Sequence, residues 1–238
     1  MSLALFDLDQ TLIPYDTQAL FCQHILKRHP LRRAYLLAFL PMLPFAAVRL
    51  IGERGLKRVF LNYLYGMTKS QVEQEVKEFV AETVLPLIYP SVLEELQKHQ
   101  ANGLTTVLIS ASPDIYAHEI ARALKFDHCF ATRIDLAGHD TIPFTPKIIG
   151  PNNKREAKLV AMADLLPPDR PIPGSFAYSD SHADLPMLRI VEHAVMVHPT
   201  PTLAAEGNAK GWKTMTPPRP FQTKGEHHWQ VFKQVIGA

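Results

Sequence analysis

The sequence predicts an α/β protein: a Rossmann-like, doubly wound, mostly parallel sheet with an inserted all-helical domain. Three observations carry that expectation. Four short apolar runs each stop at a polar cluster, as buried parallel strands do where their carboxyl ends open onto loops. Helical patterns alternate with the later runs. Between the first two runs, Leu12 to Gly103 is almost wholly helical in pattern, far more chain than a simple crossover needs.

The first run is Leu3 to Phe6, stopping at Asp7. Residues 16–84 read as the helical cap, and residues 1–15 with 85–238 as the α/β core. Asp16 precedes a helix pattern over Thr17 to Leu26, a place where an aspartate caps the first turn. Thr68-Lys69-Ser70-Gln71 has the form of a capping box opening the last long helix of the cap. A helix over Pro90 to Ala101 leads into the second strand, Leu104 to Ile109, which ends at Ser110. A helix over Asp114 to Leu124 follows, then a hairpin or irregular loop over Leu136 to Pro151, marked by Gly138, Pro143, Pro146 and Gly150. A helix over Lys154 to Leu165 precedes the strand Gly174 to Tyr178, and Ala194 to Val197 forms the fourth strand. Beyond Trp212 the chain, with Pro217, Pro218 and Pro220, is expected to wrap the surface.

Composition narrows the function classes. The chain has 238 residues, 47% hydrophobic and 20% charged, so it can bury a core and is not a disordered polymer. Its 25 Lys and Arg against 23 Asp and Glu give a formal charge of +2, without the basic excess of a nucleic-acid binder. Two distant cysteines, Cys22 and Cys129, leave zinc and dithiol chemistry without support and fit a reducing cytoplasm. The N-terminal run enters an acidic loop without a basic region or a small-residue cleavage site, unlike a signal peptide.

One segment stands apart. Ala34 to Val48 is a run of 15 uncharged, mostly apolar residues, interrupted by Pro41 and Pro44 and flanked by Lys27, Arg28, Arg32, Arg33, Arg49 and Arg54. It is shorter than the roughly 20 residues a membrane span needs. Burial in the core of the cap is the first expectation for it. Peripheral contact of the cap with a membrane surface is the second, on the strength of its basic flanks.

Four polar clusters fall at the ends of the strands. Asp7-Leu8-Asp9-Gln10-Thr11 offers two carboxylates at i and i+2, a nucleophile and a general acid–base pair for phosphoryl transfer, or simply a solvated acidic loop. Ser110-Ala111-Ser112 brings hydroxyls and N–H groups to a helix start, where they can hold an anion or cap the helix. Lys154 and Lys158 each offer a charge to a phosphoryl oxygen. Asp180 and Asp184, at i and i+4, suit a hard cation such as Mg²⁺, although Asp184 equally fits a helix N-terminus.

In their order and identity these clusters resemble the motifs of the haloacid dehalogenase superfamily, and within it the phosphoserine-phosphatase-like group with a helical cap after the first motif. The resemblance runs from Leu3 to about Trp212 and rests on Asp7 to Thr11, Ser110, a lysine, and Asp180 with Asp184. It implies an Mg²⁺-dependent phosphomonoester hydrolase in which Asp7 becomes an aspartyl-phosphate and Asp9 is the general acid and base. It further implies that Ser110, Ala111, Thr11 and Lys158 hold the phosphoryl group, and that Asp7, the carbonyl of Asp9, Asp180 and Asp184 hold the metal. Lys158, 22 residues before Asp180, matches the family spacing better than Lys154. Asp9 points away from dehalogenases, which lack an acid there.

Asp16 stands where phosphoserine phosphatases carry a glutamate that meets the substrate's amino group. Asp16 is a shorter acid and departs from that pattern; the expected substrate is a small phosphorylated metabolite such as phosphoserine or a related ester. The alternatives are a lipid phosphate of the phosphatidylglycerophosphate kind, suggested by the similarity of the basic-flanked apolar cap to the caps of such phosphatases, and phosphotransfer to an alcohol.

Overall fold

Leu3, Ala4, Leu5 and Phe6 have no exposed surface, and a run apolar on both faces is what a central parallel strand requires. In the computed structural model, which describes residues 2–48, 50–221 and 223–238, this run is β1, the middle strand of a seven-stranded sheet. The others are β2 (Thr105–Pro113), β3 (His128–Asp135), β4 (Lys147–Ile149), β5 (Ile172–Ser179), β6 (Val191–Val197) and β7 (Lys213–Met215). Their order is β4-β3-β2-β1-β5-β6-β7, and only the β3–β4 pair is antiparallel. The chain builds outward from β1 on one side and then returns to build on the other. That reversal leaves a crevice at the carboxyl end of β1, the usual ligand position in such sheets.

Among the described residues, the α-helices of six or more residues are α1 (Thr17–Arg28), α2 (Glu53–Phe60), α3 (Lys69–Phe79), α4 (Pro90–Ala101), α5 (Asp114–Ala123), α6 (Glu156–Ala161), α7 (Pro201–Ala209) and α8 (Lys224–Ile236). Side chains of β1 alternate between two cores, as the period of a strand dictates. Leu3 and Leu5 join one, and Ala4 and Phe6 the other. The second core continues without a break into the helical insertion through Leu12, Phe21, Tyr63 and Phe79. Phe21 and Phe79 of the insertion both meet Tyr116 of α5 at ring-centroid distances of 5.3 and 5.9 Å.

The expected fold class holds, with local differences that have physical causes. β2 does not stop before Ser110 but continues to Pro113, because Ser110 to Ser112 remain extended while the register against β3 shifts between Ile109 and Pro113. β3 lies over a stretch for which the sequence predicts no strand: four of its eight residues are polar, and Cys129 to Ala131 make too short an apolar run. Of the hairpin or irregular loop expected over Leu136 to Pro151, the structure has the hairpin form: β4 pairs back antiparallel on β3. The helix expected from Lys154 starts at Glu156, since Arg155 takes a left-handed φ of 58°, and it closes at Ala161 before a 3-10 turn at Ala163–Leu165.

The chain beyond Trp212 supplies the edge strand β7 and then α8, opened by a capping box between Thr223 and Glu226. α8 packs on α1, and the Tyr35 hydroxyl and Arg33 guanidinium donate to the carbonyls of Val235 and Gly237. Gly237 has a φ of 71°, and a Cβ there would lie 2.5 Å from Cβ of Leu26, so the helix closes where only glycine fits.

The segment Ala34 to Val48 departs furthest from expectation. Its expected burial in the cap core holds for Tyr35 and Phe39, whereas Leu37, Leu40, Leu43, Phe45 and Val48 are exposed. The proline interruptions explain why. The segment breaks into a 3-10 turn over Pro30–Tyr35 and short helices at Leu36–Phe39 and Leu43–Ala47, and so cannot present one continuous apolar face inward. Arg49, part of its basic flank in the sequence, lies outside the described residues. Among the described residues, no helix is long and apolar enough to cross a membrane.

Candidate active site

β1 ends at Phe6, paired with Leu108 of β2 on one side and Tyr178 of β5 on the other. β1 therefore leaves the sheet first, while β2 runs on to Pro113 and β5 to Ser179 on either side of it. Asp7 N–H still donates to the Tyr178 carbonyl at 3.0 Å, which holds its side chain at the mouth of the crevice. The chain then turns sharply, with N–H groups of Thr11 and Leu12 returning to the Leu8 carbonyl and Gln10 at a φ of 62°. This turn buries Leu8 and sends Asp7 and Asp9 into different surroundings.

Asp7 is buried beside a cation. Lys158 Nζ donates to Asp7 Oδ1 at 2.6 Å and to Asp184 Oδ2 at 2.8 Å, while Ser179 Oγ donates to the same Asp184 oxygen at 2.7 Å. Lys158 comes from α6 and is almost wholly buried, at 1% exposure. Lys154 instead faces outward and pairs with Glu53 at 3.2 Å. Of the two lysines available in the sequence, only Lys158 thus joins the carboxylates. Thr11 Oγ1 accepts from the Asp180 N–H at 3.0 Å and donates to Asp7 Oδ2 at 3.4 Å, tying the first cluster to the last.

Burial pushes the Asp7 carboxyl up to about 7, with Lys158 opposing and Asp184 adding to the rise. Burial also raises Asp180 well above the ordinary carboxylate range, reinforced by Asp7 and Asp184. Burial pulls the Lys158 ammonium down, yet Asp184 and Asp7 outweigh it and raise it. Three carboxylates share one ammonium here. Hard oxygen donors with a surplus of negative charge are what Mg²⁺ binding asks for, so the residues present fit that ion.

Asp9 is held by a separate set of donors. Thr17 N–H, in the first turn of α1, reaches Oδ1 at 2.7 Å, and Ser112 Oγ reaches Oδ2 at 2.6 Å. Thr17 Oγ1 and Ser112 Oγ are themselves 3.0 Å apart, and Tyr116 OH lies 3.4 Å from Thr17. Burial lifts the Asp9 carboxyl to about 6, aided by the charge of Asp16 and opposed by these hydrogen bonds. Asp16 itself caps α1, accepting from Ala19 N–H at 3.0 Å.

Ser110 is buried at the end of the apolar part of β2, and its Oγ accepts from Ser112 N–H at 3.0 Å, leaving its own proton to donate. The Ala111 carbonyl accepts from Thr132 Oγ1 at 2.7 Å and from Lys57. Asn153 braces the same strand by donating to the Ser110 carbonyl at 3.0 Å and the Phe130 carbonyl at 2.9 Å.

Sequence reasoning misses Lys57. It sits on α2 of the insertion, and its Nζ crosses to the Ala111 carbonyl and, at 2.8 Å, to Asn152 Oδ1. Burial lowers its ammonium pKa, while Asp9 and Asp16 pull the other way. No motif marks it; only the packing of α2 over the sheet ends brings it there. Ser112 is visible in the sequence as a helix cap but not as a partner of Asp9. Elsewhere in the insertion His24, Glu75 and Glu78 converge, but Arg28 pairs with both glutamates and supplies the positive charge.

Comparison with known proteins bears on what this arrangement does. A sequence model of haloacid dehalogenase-like hydrolases matches residues 4–189. A probable phosphatase of Mycobacterium tuberculosis is 30% identical over 228 residues, covering 93% of this chain and 77% of that protein. A histidinol-phosphatase of Neisseria meningitidis is 26% identical, covering 90% of this chain and 98% of that one. A Bordetella pertussis protein of unknown function has a solved structure that superposes with a TM-score of 0.74 at 23% identity, covering 90% and 98% of the two chains. Solved phosphoserine phosphatases share the fold at TM-scores of 0.56 and 0.55.

Proposed function

The chain belongs to the haloacid dehalogenase-like hydrolase family and is a phosphatase; from that premise we propose that it hydrolyses small phosphate monoesters through an aspartyl-phosphate on Asp7. The observation that carries this reading is the division of labour between two carboxylates at one strand end. Asp7 lies against the Lys158 ammonium, as an anionic nucleophile needs. Asp9 is oriented apart from that ammonium, by the Thr17 N–H and the Ser112 hydroxyl, and burial raises its carboxyl toward the range in which a general acid works.

A carboxylate oxygen of Asp7 attacks phosphorus, the ester P–O bond breaks, and the leaving alkoxide takes the proton of Asp9. Asp9 then accepts a proton from water as the water oxygen attacks the same phosphorus. Inorganic phosphate leaves and the Asp7 carboxylate is restored. Ser110 Oγ–H, the Ala111 N–H and Lys158 hold the phosphoryl oxygens, and Thr11 braces Asp7 against the Asp180 turn. Asp7, Asp180 and the Asp9 carbonyl would hold Mg²⁺, with Asp184 beside them orienting Lys158. When bound, the ion neutralises charge on the phosphoryl oxygens and the attacking carboxylate.

The site fits an ester whose organic part carries an ammonium group. Asp16, whose Oδ1 caps α1, brings its carboxylate charge to the start of that helix, while the Lys57 ammonium is held by the Ala111 carbonyl and Asn152. Phosphoserine and histidinol phosphate both have such a group, in line with the named relative and the shared fold. Mg²⁺-dependent phosphate release across a panel of these two esters, sugar phosphates and a lysophosphatidyl ester tests the proposal. Turnover is expected for the amino esters, lost with EDTA and in Asp7→Asn, and with KM raised for them alone in Asp16→Asn. Equal rates across the panel would remove the role given to Asp16. Silence throughout would overturn the assignment.

A further inference from the structure

We propose that the exposed apolar stretch of the helical insertion docks on an anionic membrane surface, lying in the interface without crossing it. Seven large apolar side chains between residues 31 and 50 are exposed: Leu31 at 93%, Leu37 at 81%, Leu50 at 75% and Val48 at 66%, with Phe45, Leu40 and Leu43 at 40–47%. Leu31 and Leu37 border a groove of about 650 Å³ whose far wall includes Tyr65 and Phe144, an exposed aromatic pair. A patch of this kind on a solvent-facing surface marks an interaction site.

Charge identifies the partner. No Asp or Glu occurs between Asp16 and Glu53, while Lys27, Arg28, Arg32 and Arg33 precede the apolar side chains and Arg54 follows them. Lys27, Arg28, Arg33 and Arg54 are exposed, and Arg32 lines the groove. Arg28 is ion-paired with Glu75 and Glu78, so the positive rim of this apolar surface rests on Lys27, Arg32, Arg33 and Arg54. Phosphate headgroups above an acyl layer complement both features, the cations and the apolar side chains. The short broken helices at Leu36–Phe39 and Leu43–Ala47 are suited to lying flat.

The docking does not depend on which ester is hydrolysed, and its test reads binding rather than turnover. The full chain is sedimented with phosphatidylglycerol–phosphatidylcholine vesicles and with phosphatidylcholine vesicles alone. Binding is expected to the anionic vesicles, to fall steeply with salt, and to drop about tenfold or more in Leu37→Glu/Phe45→Glu. Because both side chains are exposed, that variant keeps its circular dichroism and its hydrolysis of a soluble ester. Asp7→Asn should bind vesicles like the wild type, which separates failure of the phosphatase assignment from failure of the docking. Equal binding by wild type and the double glutamate variant would overturn the proposal. So would a concentration-dependent dimer, abolished by the same substitutions, in place of vesicle binding.

Discussion

The carboxyl end of β1 and the stretch from Leu31 to Leu50 reverse the ordinary distribution of side chains in opposite senses. At the first, Asp7, Lys158 and Asp184 are buried where leucines would fit. At the second, leucines face water where charges would fit. Buried charges raise the free energy of the folded state unless each has a partner, and an unpartnered apolar face carries no such local compensation. The comparison separates a region whose unusual residues answer one another from a region whose unusual residues answer to something outside the chain.

Substitutions at the two ends should therefore differ in kind. The largest effect is expected from Asp7→Asn, with turnover falling by a factor on the order of 10³ or more in steady-state assays. Lys158→Met leaves two buried carboxylates unpaired and should cost about 3–5 kcal/mol in urea unfolding, along with activity. Leu12→Ala, at a fully buried position of the shared core, should cost about 2–5 kcal/mol. Leu37→Ser should change stability in buffer by no more than about 0.5 kcal/mol. A large loss there would show that the exposed stretch supports the fold and would collapse the comparison.

A finer test concerns Asp9. Ser112→Ala removes a hydrogen bond that lowers the Asp9 pKa, so the pH at which the general acid loses its proton should move upward, with kcat falling about tenfold. Stability gives an independent reading of the same group. With Asp9 raised from 3.8 to about 6 on folding, the folded state holds a proton that the unfolded chain has lost between those values. Its contribution to stability therefore declines as pH rises through that window. Asp9→Asn should flatten that part of a thermal-melting profile against pH.

Much of the site is legible in the amino-acid sequence. Asp7, Asp9, Ser110, Asp180 and Asp184 each lie where an apolar run stops, which periodicity places at the carboxyl ends of strands; their grouping into one candidate site comes from the resemblance to the family motifs, which spacing alone does not supply. The choice between Lys154 and Lys158 is not legible from residue type, since both accompany the same helix. Lys154 lies ahead of α6, before the positive φ of Arg155, and pairs with Glu53, whereas Lys158 lies within the helix and reaches Asp7 and Asp184. Ser112 and Thr17 are visible in the sequence only as helix-start residues, because their contact with Asp9 joins positions 103 and 8 residues away along the chain.

What the sequence by itself determined is the strand and helix alphabet, the fold class and the carboxylates at the strand ends, since these follow from local periodicity and from where apolar runs stop. The tertiary structure alone decided three matters: the contact of Lys57 with the Ala111 carbonyl, the docking of α8 on α1, and the exposure of Leu37 and Phe45. An apolar run reads the same whether it faces a core or solvent. Which one it meets depends on the packing of segments distant in sequence, and here Leu37 and Phe45 face solvent while Tyr35 and Phe39 are buried.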